Sequence, residues 1–191
     1  MHRLSKNAGY HLKVSNSIQP IKETWDKVAP ANNLFLRSTY LQTLENFPPD
    51  KMTFKYVIFY KDNQAVGVSY NQIYHLKIED SLQQQANEEP AKIPYCIITA
   101  FTSAVKKWFI KRAEFNLLIC GNMLLTGEYG YYFHADLDQA KIASLIQESM
   151  DTLQGILDKE QSKISIHLVK DHKIETADIL KEQLQKETYH P

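Results

Sequence analysis

The apolar positions switch repeatedly between a period of two and a period near 3.6, so the chain reads as alternating strands and helices. Residues 10–14 set Tyr10, Leu12 and Val14 against His11 and Lys13, which predicts a short strand with one buried face. Ile18, Ile21, Trp25 and Val28 then recur at spacings of three and four. They predict a helix capped by Ser17, with Pro20 tolerated in its first turn. Pro30 ends it, because the residue before a proline is pushed out of the helical region. Leu34, Tyr40, Leu41 and Leu44 form the expected inner face of a second helix over 34–46, closed by Pro48 and Pro49.

A hairpin follows. Residues 52–60 are rich in aromatic and β-branched types, and residues 61–64 supply a turn in which Asp62 and Asn63 tolerate a left-handed backbone. On the returning strand, 65–78, Val66, Val68, Tyr70, Tyr74, Leu76 and Ile78 share one face, broken by Gln72. A strand of that length is expected to twist or bulge, with Gly67 a candidate position. Residues 81–90 are polar and read as a surface loop. Ile97, Phe101, Val105 and Trp108 predict a helix over 94–112.

The apolar run 115–120 has the character of a buried central strand, and 131–134 of a further short one. Asp138 caps the strongest helical pattern, in which Ile142, Leu145, Ile146, Met150, Leu153, Ile156 and Leu157 keep the period for more than four turns. Gly155 weakens it by roughly 1 kcal/mol relative to alanine. Ile164, Ile166 and Leu168 predict one face of a strand over 163–170, and Ile179, Leu180 and Leu184 a helix over 174–185. The closing Tyr189, His190 and Pro191 look like the entrance to another strand, so a C-terminal truncation is expected.

The whole, 191 residues with 43% hydrophobic content, fits a single α/β domain over 1–191 and is too apolar for disorder. Lys plus Arg number 22, Asp plus Glu number 22, and Arg3, Arg37 and Arg112 are the arginines. A duplex-binding protein needs a concentrated basic face, and this balance argues against double-stranded nucleic acid as a partner. Lys106, Lys107, Lys111 and Arg112 cluster on one expected helix, where they read chiefly as its solvated side. No stretch approaches the length of a membrane span, and residues 1–7 lack the apolar core of a secretion signal. The expected location is cytoplasmic.

Candidate chemistry concentrates in residues 120–130. Gly121, Gly127 and Gly130, half of the six glycines, fall there, directly after the expected central strand. The carboxyl ends of such strands are where open α/β sheets hold ligands, and glycines let the backbone approach one closely. Glu128 is the candidate catalytic acid or base, while Gly121, Asn122, Thr126, Gly127 and Tyr129 are the candidate substrate-binding residues. The same glycines also suit a tight loop that serves only the turn. No Gly-Lys-Ser/Thr phosphate loop and no Gly-x-Gly-x-x-Gly fingerprint is present. The seven histidines are scattered, so no metal site is expected. Cys96 and Cys120 belong to apolar surroundings, where thiols are usually inert.

Several stretches carry a family resemblance: Asn33 to Leu36, Tyr40 to Glu45, Tyr60 to Gly67, Leu118 to Asn122 and Thr126 to Gly130. Together with the element order, they resemble the front part of Fem-type proteins of the GNAT acyltransferase superfamily, often described as peptidoglycan biosynthesis or recognition proteins. The resemblance implies a GNAT-like mixed twisted sheet flanked by helices, lacking its final strand or strands. It implies an acyltransferase moving an acyl or aminoacyl group from a small-molecule donor, with acyl-CoA as a candidate cofactor, to an amine acceptor. The alternative is a catalytically inactive GNAT-like binding or interaction module. The family's phosphate-cradling pattern, Gln/Arg-x-x-Gly-x-Gly/Ala leading into a helix, has no match in this chain.

Overall fold

The computed structural model describes residues 2–4, 9–77, 114–127, 130–134 and 136–170. The expected loop over 81–90 and the expected helices over 94–112 and 174–185 lie outside the described residues.

The β-branched and aromatic runs on either side of Asp62 and Asn63 pair as β3 (Met52–Lys61) and β4 (Gln64–Lys77). Asp62 and Asn63 take φ of 48° and 67°, the left-handed pair whose twist matches the two strands. Phe59 pairs with Gly67 but Tyr60 with Ala65, so Val66 is an extra residue and β4 bulges beside the glycine. The bulge corrects the single face expected for the apolar residues of this strand. Val66 packs on one side of the sheet, whereas Val68 and Tyr70 pack on the other.

The strand order is β1 (His2–Leu4), β2 (Tyr10–Ser15), β3, β4, β5 (Glu114–Cys120) and β7 (Ile166–Val169), with β6 (Tyr131–Phe133) also paired to β4. β1 (His2–Leu4), which the sequence pattern did not suggest, pairs antiparallel with β2 (Tyr10–Ser15). β5 (Glu114–Cys120) lies between β4 and β7 (Ile166–Val169), antiparallel to the first and parallel to the second. Its expected interior position is therefore met, and Leu118, Ile119 and Cys120 are fully buried. β6 is Tyr131–Phe133. The sheet is mixed, and helices cover both faces.

On one face, α1 (Lys22–Val28) and α2 (Ser38–Asn46) bury Trp25, Leu36 and Leu41 against Tyr56, Ile58 and Tyr70. Two expectations are corrected here. The helix expected from Ser17 begins as a 3-10 turn, Gln19–Ile21; Ser17 Oγ accepts from Gln19 N–H at 3.3 Å, as a cap would, and a distant residue completes the start. Ile18 N–H donates to the Glu45 carboxylate at 2.6 Å, and Ser17 Oγ donates to its other oxygen at 2.9 Å. Leu34, expected inside, is 62% exposed, because residues 34–36 form a second 3-10 turn that sends Leu36 inward instead. The two helices then cap each other. Asp26 accepts from the N–H and Oγ of Ser38 at the start of α2, while Arg37 donates to the Asp26 and Ala29 carbonyls at the end of α1.

On the other face, α3 (Gln139–Lys159) begins at the expected cap, where Asp138 accepts from Lys141 N–H at 2.7 Å. Ile142, Leu145, Ile146, Met150 and Leu153 pack on Leu12, Val57, Phe59 and Leu118. Beyond its last turn, Glu160 accepts from the buried ammonium of Lys55 on β3, which also donates to Asn16 Oδ1 at 2.8 Å. A lysine under a helix is tolerated because its charge is paired there.

β7 departs from expectation. Ile164 is buried, yet Ile166 and Leu168 are exposed, because the backbone becomes extended strand only at Ile166 and the expected alternation does not carry across. His167 shares its face with Val169, which packs on the α3 core. Burial holds His167 below its ordinary value of 6.5, against the opposing pull of Asp151 and Asp158. The folded chain thus binds the proton less tightly than the unfolded one. His167 contributes stability that is complete above about pH 6.5 and is lost as pH falls through its folded value. Urea unfolding between about pH 7.5 and 5.5 is expected to show a smaller fall in midpoint for His167→Gln than for the wild type.

Candidate functional site

β5 and β6 run in the same direction along one side of β4, and together they make one strand interrupted opposite Tyr70. Cys120 pairs with Asn71 and Tyr131 with Ser69. Between them, the Tyr70 carbonyl accepts from Gly121 N–H at 3.2 Å, and Tyr70 N–H donates to the Gly130 carbonyl at 2.7 Å. The chain therefore leaves the sheet at Gly121 and rejoins it at Gly130 at one ladder position, which closes the neck of the loop.

Two glycines make that neck. A Cβ on Gly130 would lie 2.9 Å from Gly121 Cα and 3.0 Å from its nitrogen. Gly121 itself has φ of +142°, and a Cβ there would meet Lys170 Cβ at 2.9 Å. Gly130→Ala is accordingly expected to part the two strands at Tyr70 and cost roughly 2 kcal/mol. Limited proteolysis should then cut within 122–127 while the far-ultraviolet circular dichroism keeps its native shape.

Beyond the neck the loop becomes open to solvent: Asn122 is buried, Leu125 and Gly127 are half-buried, and Met123, Leu124 and Thr126 are exposed. Glu128 and Tyr129 lie outside the described residues. Asn122 is engaged within the protein, accepting from Leu124 N–H at 2.9 Å and donating to the Tyr40 hydroxyl at 3.3 Å. Met123 N–H donates to Gln72 Oε1 at 2.8 Å, and Lys170 Nζ donates to the Leu125 carbonyl at 2.7 Å. Among the described residues, the N–H groups of Thr126 and Gly127 meet no acceptor. Met123 and Leu124 N–H are thus engaged within the protein, whereas those of Thr126 and Gly127 are left for another partner.

Three residues that the glycine pattern did not single out hold this loop: Tyr40 from α2, Gln72 from β4 and Lys170 after β7. Gln72 was visible in the sequence as the polar break in an apolar face, whereas nothing local marks Tyr40 or Lys170. Near the loop the sheet face carries stacked aromatics, with the Tyr56 and Tyr70 rings 5.8 Å apart and Trp25 edge-on to Tyr56 at 5.6 Å. Burial, with the Glu45 charge adding to it, pushes both hydroxyls above the usual tyrosine range, so they remain protonated at neutral pH. For Tyr70 the hydrogen bond from Gln72 works in the opposite sense, as a donor to a phenolic oxygen must.

Other chemistries gain little support. Burial pushes the Cys120 thiol up to about 12, which leaves almost no thiolate for nucleophilic attack. Cys96 lies outside the described residues. Among the described residues no group of three or more His, Cys, Asp or Glu side chains could hold a metal ion. Among them also, no helix is long and apolar enough to cross a membrane. The start of α3 carries Asp136 and Asp138, and Asp138 accepts the Lys141 N–H that an anion would otherwise meet. No protein-family model, curated protein or solved structure matches the chain.

Proposed function

We propose that this chain is a GNAT-like acyltransferase scaffold, or part of one, that moves an acyl or aminoacyl group from a carrier to an amine. One observation carries the proposal. The 121–130 loop stands at the carboxyl ends of β5 and β7, the parallel pair of the sheet, where β7 ends opposite Cys120 and Lys170 N–H donates to the Cys120 carbonyl. Ligands of α/β sheets bind at such ends. The described elements β2, α1, α2, β3, β4, β5, α3 and β7 follow the order that the family resemblance implies, whose helices over 94–112 and 174–185 lie outside the described residues, while β1 and β6 are additional to it.

In such a transfer the amine nitrogen attacks the carbonyl carbon, a C–N bond forms, the bond to the carrier breaks, and the amine gives up a proton. Negative charge gathers on the carbonyl oxygen in between, and fixed backbone donors are what stabilises it. Thr126 and Gly127 N–H are the donors proposed for that task. Glu128, chosen from its sequence position, is the proposed proton acceptor.

The chain's residues do not fit a coenzyme diphosphate at the start of α3. A helix start binds phosphate through unengaged N–H groups and a favourable dipole, but Asp136 and Asp138 place carboxylates there and Asp138 occupies a donor. A donor is therefore held elsewhere or is of another kind, and no step is assigned to coenzyme A. The same observation favours the second interpretation, a GNAT-like binding module without turnover.

Mass spectrometry of the amide product separates the two. Wild-type chain supplied with acetyl-CoA or an aminoacyl-tRNA, together with lysine as the amine, is expected to form the amide with at least one donor. Glu128→Gln should reduce that rate about a hundredfold or more. Wild-type silence with both donors would leave the binding module as the better account, and full turnover by Glu128→Gln would remove the assignment of Glu128.

A further inference from the structure

We infer that Gln72 is the positioning residue of the 121–130 loop, its side-chain amide tying the loop backbone at Met123 to the hydroxyl of Tyr70 and so setting the rim where the acyl group would be held. What the rim holds rests on the transferase proposal; how the rim is held does not.

Gln72 is 0% exposed and interrupts a face of β4 otherwise made of Val68, Tyr70, Tyr74 and Leu76. A buried carboxamide is costly unless both of its ends are bonded. Both are, since Oε1 accepts from Met123 N–H and Nε2 donates to the Tyr70 hydroxyl, each at 2.8 Å. The orientation is forced. A backbone N–H can only donate, so Oε1 must face Met123, which leaves Nε2 toward Tyr70 and makes the tyrosine oxygen the acceptor. The Tyr70 proton is thereby turned away from Gln72. The same Tyr70 closes the loop's neck through its backbone, bonding Gly121 and Gly130. One residue of β4 thus grips the two ends of the loop, and the residue two positions on holds its first turn.

Hydrogen exchange on the full chain tests this without any ligand. Gln72→Met keeps the length and removes the amide, and is expected to speed exchange at Met123 and Leu124 about tenfold while α3 is unchanged. Gln72→Glu retains an acceptor for Met123 N–H and is expected to restore slow exchange. Wild-type exchange at Met123 and Leu124 in Gln72→Met, equal acceleration in α3, or no recovery in Gln72→Glu would each overturn the assignment. In the amide-forming assay, Gln72→Met is expected to lose about tenfold in kcat with KM for the amine within about twofold, and Gln72→Glu to recover. An unchanged kcat overturns the link between Gln72 and the rim's function. If the wild type forms no amide, the transferase proposal fails and the exchange result alone decides Gln72.

Discussion

Replacing Trp25 by alanine is expected to lower the unfolding free energy by roughly 4 kcal/mol, the largest loss foreseen for a single substitution among the described residues. Two effects combine. The indole is fully buried between α1 and the sheet, edge-on to Tyr56, so truncation leaves a cavity among rigid neighbours. Its Nε1 also donates to the Leu36 carbonyl at 2.7 Å, and that buried acceptor would be orphaned. Trp25→Phe separates the two, because it fills most of the space and removes only the hydrogen bond. It is expected to cost about 1 to 2 kcal/mol. Urea unfolding followed by far-ultraviolet circular dichroism measures both variants. Equal losses would show that packing contributes little and the Leu36 bond nearly everything.

Gly67→Val is expected to be almost as damaging, at roughly 3 kcal/mol, for the opposite reason. A Cβ at this position would sit 2.2 Å from the ring of Phe133 on β6. Gly67 pairs with Phe59 on one side and Phe133 on the other, and the two rings approach to 4.7 Å between centroids. The glycine is thus the gap that lets two aromatics meet at the bulge, and a branched side chain must displace a buried ring. A double-mutant cycle supplies the check. In a Phe133→Ala background, where the ring is gone, Gly67→Val should cost less by about 1 kcal/mol or more. Strict additivity would place the damage in the backbone rather than in the clash.

These two positions show how unevenly the fold is written in the chain. The period-two runs around Asp62 and Asn63 determined the hairpin, because left-handed turn residues between β-rich segments admit few other structures. Local periodicity likewise determined α3 and its Asp138 cap, and the unbroken apolar run determined that β5 is interior. The glycines at 121, 127 and 130 announced a bend after that strand, and Gly67 a weak point in β4.

Tertiary structure alone decided the rest. A one-residue bulge moved Val66 to the opposite face from Val68, since parity in a strand survives only while the register does. Leu36 turned inward and Leu34 outward because residues 34–36 form a separate 3-10 turn rather than the first turn of the expected helix. The cap that Ser17 begins was completed by Glu45, 27 residues away from the Ile18 it serves, and the hold on the loop came from Gln72, 51 residues before Met123. Periodicity reports which side of an element is apolar. It carries no information about which polar groups will meet once elements pack, because such a meeting depends on register, crossing geometry and the need of each buried donor for an acceptor, all of which exist only in the folded chain.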